Sequence, residues 1–172
     1  MEHVEHLPRD SRPRAKREWV RVGRARVGKG VFAGRNHPAC GVVGEITGEI
    51  IDDATYGSAY CFDIGGGLHL EPIAPFRFVN HSCEPNCEFD YLECTDQMGA
   101  DLRKRVFLFA LRDIKVGEEL TIDYNWSAAN AIPCRCQAPS CRGWVVSEEL
   151  MHDIGRPISK ELGQGDASDT RP

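Results

Sequence analysis

Every apolar run in this chain is short and soon interrupted by glycine, proline or a polar turn, which leaves room for many strands and little helix. WVRVGRARVGKGVFAG, from Trp19 to Gly34, alternates apolar and polar residues and predicts two short strands joined by a turn at Gly28-Lys29-Gly30. Cys40 to Asp52 reads as strand broken by glycines, and Ser58 to Ile64, Glu88 to Glu93 and the apolar Arg105 to Leu111 read as further strands. A turn at Lys115-Val116-Gly117 leads into another short strand. Only Ser147 to Ile154 has a helical signature, with Ser147 as N-cap and acids in the first turn. With no regular repeat, the pattern predicts a mostly β fold of several small sheets.

A chain of 172 residues with 41% hydrophobic and 27% charged content supports one core, hence one domain with short tails. No apolar run reaches the roughly eighteen residues of a membrane span, and the first residues lack the apolar centre of a signal peptide, so a soluble, intracellular protein is expected. Disulfides are disfavoured there, and the eight cysteines read as a metal site plus buried thiols. Residues 1–35 hold ten Lys and Arg against four Asp and Glu, a balance of +6, which leaves −11 on the remainder of a chain whose net charge is −5. Residues 1–17 read as a flexible basic arm, and the acidic body suits a Lys- or Arg-rich protein partner better than nucleic acid.

The densest chemistry lies in RFVNHSCEPNC, Arg77 to Cys87. Asn80 offers donor and acceptor, His81 a switchable ring and Cys83 a soft ligand, and Glu84-Pro85-Asn86 is turn chemistry that holds them in one loop. Two later blocks complete the set: GEELTIDYNW at Gly117 to Trp126 and CRCQAPSC at Cys134 to Cys141. Cys134, Cys136 and Cys141 place three thiolates within reach of one ion, for which zinc is the redox-inert choice. A closed structural site needs a fourth ligand from elsewhere; Cys83 is the candidate and Cys87 the alternative. Such a site would clip the C-terminal segment against the Asn-His loop.

Taken together, RFVNHSCEPNC, GEELTIDY and the cysteine knuckle followed by CRGWV resemble the SET-domain protein lysine methyltransferases, including their cysteine-rich post-SET segment. The resemblance runs from about Trp19 to Val146, with VGKGVFAG and VVGEITGEIID in the places of earlier family motifs. It implies domain limits of 18–127 for the SET domain and 128–146 for the zinc segment, while residues 147–172 read from their own composition as a short helix and disordered tail. The implied fold passes the Asn-His loop and the segment through Tyr124 across each other as a pseudoknot. S-adenosylmethionine is the implied cofactor, with Lys29, Gly30, Arg77, Asn80, His81 and Trp144 around it, Trp144 serving equally well as a packed aromatic that anchors the knuckle. Tyr124 is the implied catalytic hydroxyl and Tyr60 a second channel tyrosine, although an aromatic in a strand is ordinarily core.

Two departures stand out. LEPIAPFRF puts Pro75-Phe76 where many members have Gly-Asn, which bears on the substrate-side loop. Ile122 replaces a common aromatic in the substrate channel, and an aliphatic side chain there holds no ordered water, so di- or trimethylation is expected to be accessible. The leading expectation is an enzyme that methylates lysine in a basic protein segment such as a histone tail. The competing readings are a catalytically silent SET-like peptide-binding module with a structural zinc, and a zinc knuckle acting on nucleic acid. Retention of Tyr124, Asn80 and His81 together favours the first; the acidic body disfavours the last.

Overall fold

The computed structural model describes residues 19–94 and 103–155. The expected N-terminal arm and C-terminal tail lie outside these residues. Ten strands follow one another: β1 Val20–Arg24, β2 Lys29–Ala33, β3 Val42–Ile46, β4 Gly48–Asp52, β5 Phe62–Asp63, β6 Leu68–Pro72, β7 Asn80–His81, β8 Cys87–Cys94, β9 Arg103–Ala110 and β10 Glu119–Ile122. They form three small sheets, ordered β1-β2-β10-β7, β3-β9-β8 and β4-β6-β5. Among the described residues no helix is long and apolar enough to cross a membrane.

The strand periodicity explains the core. Along β9, Val106, Leu108 and Ala110 are buried while Phe107 and Phe109 are only partly so, the alternation expected of a sheet with one face inward. Val31, Val43, Ile64 and Leu120 join them with no measurable exposure. Each buried side chain of this size contributes about 1.5–3 kcal/mol, and together they seat all three sheets on one cluster. Gly44 is required by this packing, because a Cβ there would lie 2.6 Å from the Phe76 ring.

Four expectations are corrected. The turn expected at Gly28-Lys29-Gly30 falls earlier, closed by the Ala25 N–H on the Gly28 carbonyl, and Lys29 and Gly30 pair with Arg24 and Gly23 as the start of β2. Cys40 to Asp52 is not one strand: β3 pairs with β9, whereas β4 pairs with β6 in another sheet. Ser58 to Ile64 yields only the two residues of β5, and its partner is Leu68–Pro72, where glycines before it and Pro72 within it mask the strand signal. Glu148–Asp153 is a 3₁₀ segment, with no cap bond from the Ser147 side chain. Six residues give too few bonds to repay the nucleation of an α-helix, and the Ser147 backbone is already engaged, its N–H donating to the Trp126 carbonyl.

The connection of greatest consequence is parallel. β7 lies beside β10, with Asn80 opposite Thr121 and His81 opposite Ile122. Asn86 reinforces it: its side-chain amide donates to the Glu119 carbonyl at 2.8 Å and its carbonyl accepts the Thr121 N–H at 2.9 Å. Ser82 N–H donates to the Ile122 carbonyl at 2.9 Å. The loop from Asn80 to Asn86 is thereby laced to the strand that leads into Tyr124.

Candidate functional site

Tyr124 lies two residues beyond the end of β10 and lines both major cavities. Its hydroxyl donates to the Val79 carbonyl at 2.8 Å. Burial is the main cause that pushes its pKa up to about 12, so the phenol keeps its proton at neutral pH. His81 packs on the ring with centroids 5.4 Å apart, and Trp126 does so at the same separation.

The smaller cavity, about 370 Å³, includes Asn80, His81, Glu119, Arg26, Arg135 and Val145 in its lining. Charges of both signs beside apolar carbons suit a compact ligand that is itself zwitterionic. The Asn80 amide nitrogen lies 3.0 Å from the Lys29 carbonyl, 3.3 Å from that of Val27 and 2.7 Å from Glu119 Oε1, tying the glycine turn to the cavity wall. Gly30 permits this closeness: a Cβ there would stand 2.6 Å from Glu119 Oε1. His81 Nδ1 accepts the Tyr124 N–H at 3.2 Å, which leaves Nε2 to carry the proton toward Cys83 Sγ at 3.4 Å. Burial holds the ring below its ordinary pKa despite the nearby Asp123 carboxylate.

The larger cavity, about 870 Å³, includes Tyr60, Arg77, Ile122, Tyr124, Trp126 and Asn130 in its lining. Ile122 is almost completely buried, whereas Tyr60 is 45% exposed. The six residues expected around one cofactor are thus divided. Asn80 and His81 line the smaller cavity; Lys29 and Gly30 stand behind it, with the Lys29 ammonium 4.9 Å from the Phe78 ring centre. Arg77 lines the larger cavity instead, because Glu71 and Tyr60 draw its guanidinium to that side. Trp144 lines neither, and its backbone bridges to Pro133 within the knuckle. Arg26, Arg135 and Glu119 were not among the expected site residues, although each lies inside a quoted stretch: Arg26 before the glycine turn, Arg135 between the first two cysteines of the knuckle and Glu119 in GEELTIDY.

Beside the smaller cavity, the sulfurs of Cys83, Cys134, Cys136 and Cys141 all lie within 4.8 Å of one another. Backbone N–H groups point at them, from Arg142 to Cys83 Sγ at 3.4 Å, Cys136 to Cys134 Sγ at 3.4 Å and Gly143 to Cys141 Sγ at 3.5 Å. Cys83 and Cys134 sulfurs are 3.7 Å apart, too far for a disulfide. Desolvation raises the Cys83 thiol and takes that of Cys134 to about 12. Cys136 feels the same desolvation but is brought down to about 6 by N–H donors from Cys83 and Ala138 and by the neighbouring thiols. Four sulfurs so close cannot all ionise by themselves, and a dication supplies the missing charge. The set therefore fits zinc. Cys87 is fully buried at the start of β8, with its thiol pushed up to about 12 by burial, as befits a core residue.

Around this cluster the chain is further clamped. Arg142 pairs with Asp123 at 2.6 Å, next to Tyr124, and the Glu84 carboxylate accepts the Ser140 N–H at 2.8 Å. Metal ligation and the position of Tyr124 are thus mechanically adjacent.

Comparison with known proteins follows the same outline. A family profile described as SET domain matches residues 28–125. The chain is 46% identical over 113 residues to the histone-lysine N-methyltransferase ash1 of Drosophila melanogaster, covering 62% of this chain and 5% of that protein. It is 34% identical over 150 residues to the human histone-lysine N-methyltransferase 2B, covering 77% of this chain and 5% of that protein. These curated relatives are therefore far longer than the chain. Among solved structures, KRYPTONITE in complex with mCHH DNA, an H3(1-15) peptide and SAH superposes with a TM-score of 0.59 at 28% identity, covering 73% of this chain and 29% of that one.

Proposed function

Because the chain belongs to the SET-domain family, we propose that it is a protein-lysine N-methyltransferase that uses S-adenosylmethionine to methylate lysine in a basic protein segment of the histone-tail class. On this reading residues 18–127 form the catalytic domain and 128–146 the zinc-bearing segment that closes it, and the chain acts inside the cell, in cytoplasm or nucleus depending on its host. The relatives named as histone-lysine methyltransferases and the H3- and SAH-bound neighbour support the assignment. One observation carries it: Tyr124 lines both cavities at once, with a protonated hydroxyl held in a fixed direction.

S-adenosylmethionine, when bound, supplies an electrophilic methyl on a sulfonium sulfur. The chain has to align the partners, admit a deprotonated amine and exclude water. Asn80 and His81 hold the donor in the smaller cavity. Ile122 and the Tyr60 ring bound the lysine side, where poor solvation favours the neutral amine. The Tyr124 proton is committed to the Val79 carbonyl, so its oxygen can only accept. It accordingly takes an N–H of the incoming amine and turns the nitrogen lone pair toward the methyl. No step requires a redox centre; Cys83, Cys134, Cys136 and Cys141 hold zinc for structure.

The test is transfer of labelled methyl from S-adenosylmethionine to core histones, with mass spectrometry of the products. Tyr124→Phe is expected to fold and bind donor normally while turnover falls roughly 10²-fold or more. Full activity in that variant removes the assigned role; donor binding without transfer by the wild type points to a substrate other than core histones or to a missing partner, and neither transfer nor donor binding favours the silent peptide-binding module.

A further inference from the structure

One wall of the larger cavity has no regular secondary structure. Residues 57–61 run between β4 and β5 as bend and coil and bring Tyr60 to the cavity. At 45% exposure that ring is not held by core packing. Other links hold it. Ser58 Oγ accepts the N–H groups of Tyr60 and Cys61, each at 3.0 Å, and donates its own proton to Glu71 Oε2 at 2.5 Å. Tyr56 donates to the same oxygen at 3.3 Å. On the far side the Arg77 guanidinium lies 4.2 Å from the Tyr60 ring centre and pairs with Glu71 Oε1 at 3.7 Å. The circuit runs from Glu71 through Ser58, Tyr60 and Arg77 back to Glu71.

The sheet by itself gives no reason for this carboxylate. Glu71 stands directly opposite Glu49 in the β4–β6 register, and like charges in facing positions destabilise a sheet. What the carboxylate does accomplish is twofold: it braces the Tyr60 loop, and it offsets the Arg77 charge in a cavity that has to admit a cationic substrate segment.

We propose that Glu71 is a positioning residue for substrate recognition, fixing Tyr60 through Ser58 and Arg77 and screening Arg77 from the incoming basic peptide. The inference rests on the lysine-methylation reading of the same cavity. It predicts that Glu71 governs the protein substrate and not the methyl donor.

The experiment compares wild type, Glu71→Gln, Ser58→Ala, the double variant and Glu49→Gln, with core histones as substrate. Glu71→Gln is expected to raise KM for histone about ten-fold, the effect of one charge-assisted bond. Donor affinity should stay unchanged, and the thermal midpoint should not fall, since the repulsion with Glu49 is relieved. Hydrogen exchange at the Tyr60 and Cys61 amides should accelerate. Because both side chains act through one circuit, the double variant should be no worse than the more impaired single variant, while Glu49→Gln leaves KM at the wild-type value. Unchanged KM and exchange in Glu71→Gln overturn the inference alone; parallel loss of donor affinity and midpoint reduces Glu71 to a structural residue. A wild type that transfers no methyl to histones overturns the functional reading and this inference with it.

Discussion

The two sides of Tyr124 are built differently. Toward the smaller cavity the chain is held by backbone ladder bonds between β7 and β10 and by Asn86, only 4% exposed, which bonds to β10 at both ends of its amide. Toward the larger cavity the wall at residues 57–61 depends on partly exposed side chains in irregular backbone. Backbone ladders tolerate little change in shape, whereas side-chain circuits can be rewired by single substitutions. On the proposed reading the methyl donor lies against the first kind of surface and the protein substrate against the second, where loops carry recognition.

The largest expected effect comes from dismantling the rigid side through its metal cluster. Chelation should release zinc, loosen residues 134–146 and abolish donor binding, as followed by metal analysis and calorimetry. Cys83→Ser should lower zinc content in the same way. Cys87→Ser should keep its zinc and lose about 1–3 kcal/mol, since it introduces a hydroxyl into the buried core; equal zinc loss in both variants would remove the distinction between ligand and core thiol.

Next in size is the amide brace. Asn86→Ala strips two buried hydrogen bonds and should cost about 2–4 kcal/mol in denaturant unfolding, whereas Ser58→Ala on the opposite wall should cost under about 1 kcal/mol. Comparable costs would mean that the two sides are equally anchored.

A smaller change tests the larger-cavity side alone. Ile122 lines the larger cavity without any polar atom, so multiply methylated lysine should appear among the products. Ile122→Tyr, which adds a hydroxyl able to hold water, should shift mass spectra toward monomethyl lysine with little change in donor affinity.

The least effect is a gentle acid sensitivity at a buried histidine that lines neither cavity. His37 is buried, with Nε2 3.3 Å from the Trp19 carbonyl, and desolvation holds its pKa below 6.5. The unfolded chain therefore takes up a proton first. Stability is fully present above about pH 6.5 and declines as pH falls toward the folded-state value. His37→Gln, which keeps a donor without titrating, should flatten thermal midpoints across that window.

Much of this architecture was legible in residues near one another in the chain. The alternation from Trp19 to Gly34 marked β1 and β2, although Lys29 and Gly30 belong to β2 and not to the turn before it; the apolar run at Arg105 marked β9, and C-x-C-x4-C announced a thiol cluster. What escaped was set by partners distant in sequence. Leu68–Pro72 looks poor as a strand until β4 and β5 are laid on either side of it. The expected helix after Ser147 gave way to a 3₁₀ segment because its residues bond locally at i to i+3 and the Ser147 backbone is spent on Trp126.

From the sequence came the identities that chemistry demands: the asparagine, histidine and tyrosine of the paired motifs, a mostly β framework, and a knuckle in want of a fourth thiol. Periodicity and ligand chemistry act over a few residues, so they can be read along the chain. Only the tertiary structure decided which cavity each residue serves. Arg77 lies three residues from Asn80, yet faces the opposite cavity because Glu71 and Tyr60 wait for it there. Cys83 joins the cluster while Cys87, four residues on, is sealed into the core. Such choices depend on which elements converge around a side chain, and that convergence exists only once the sheets have packed.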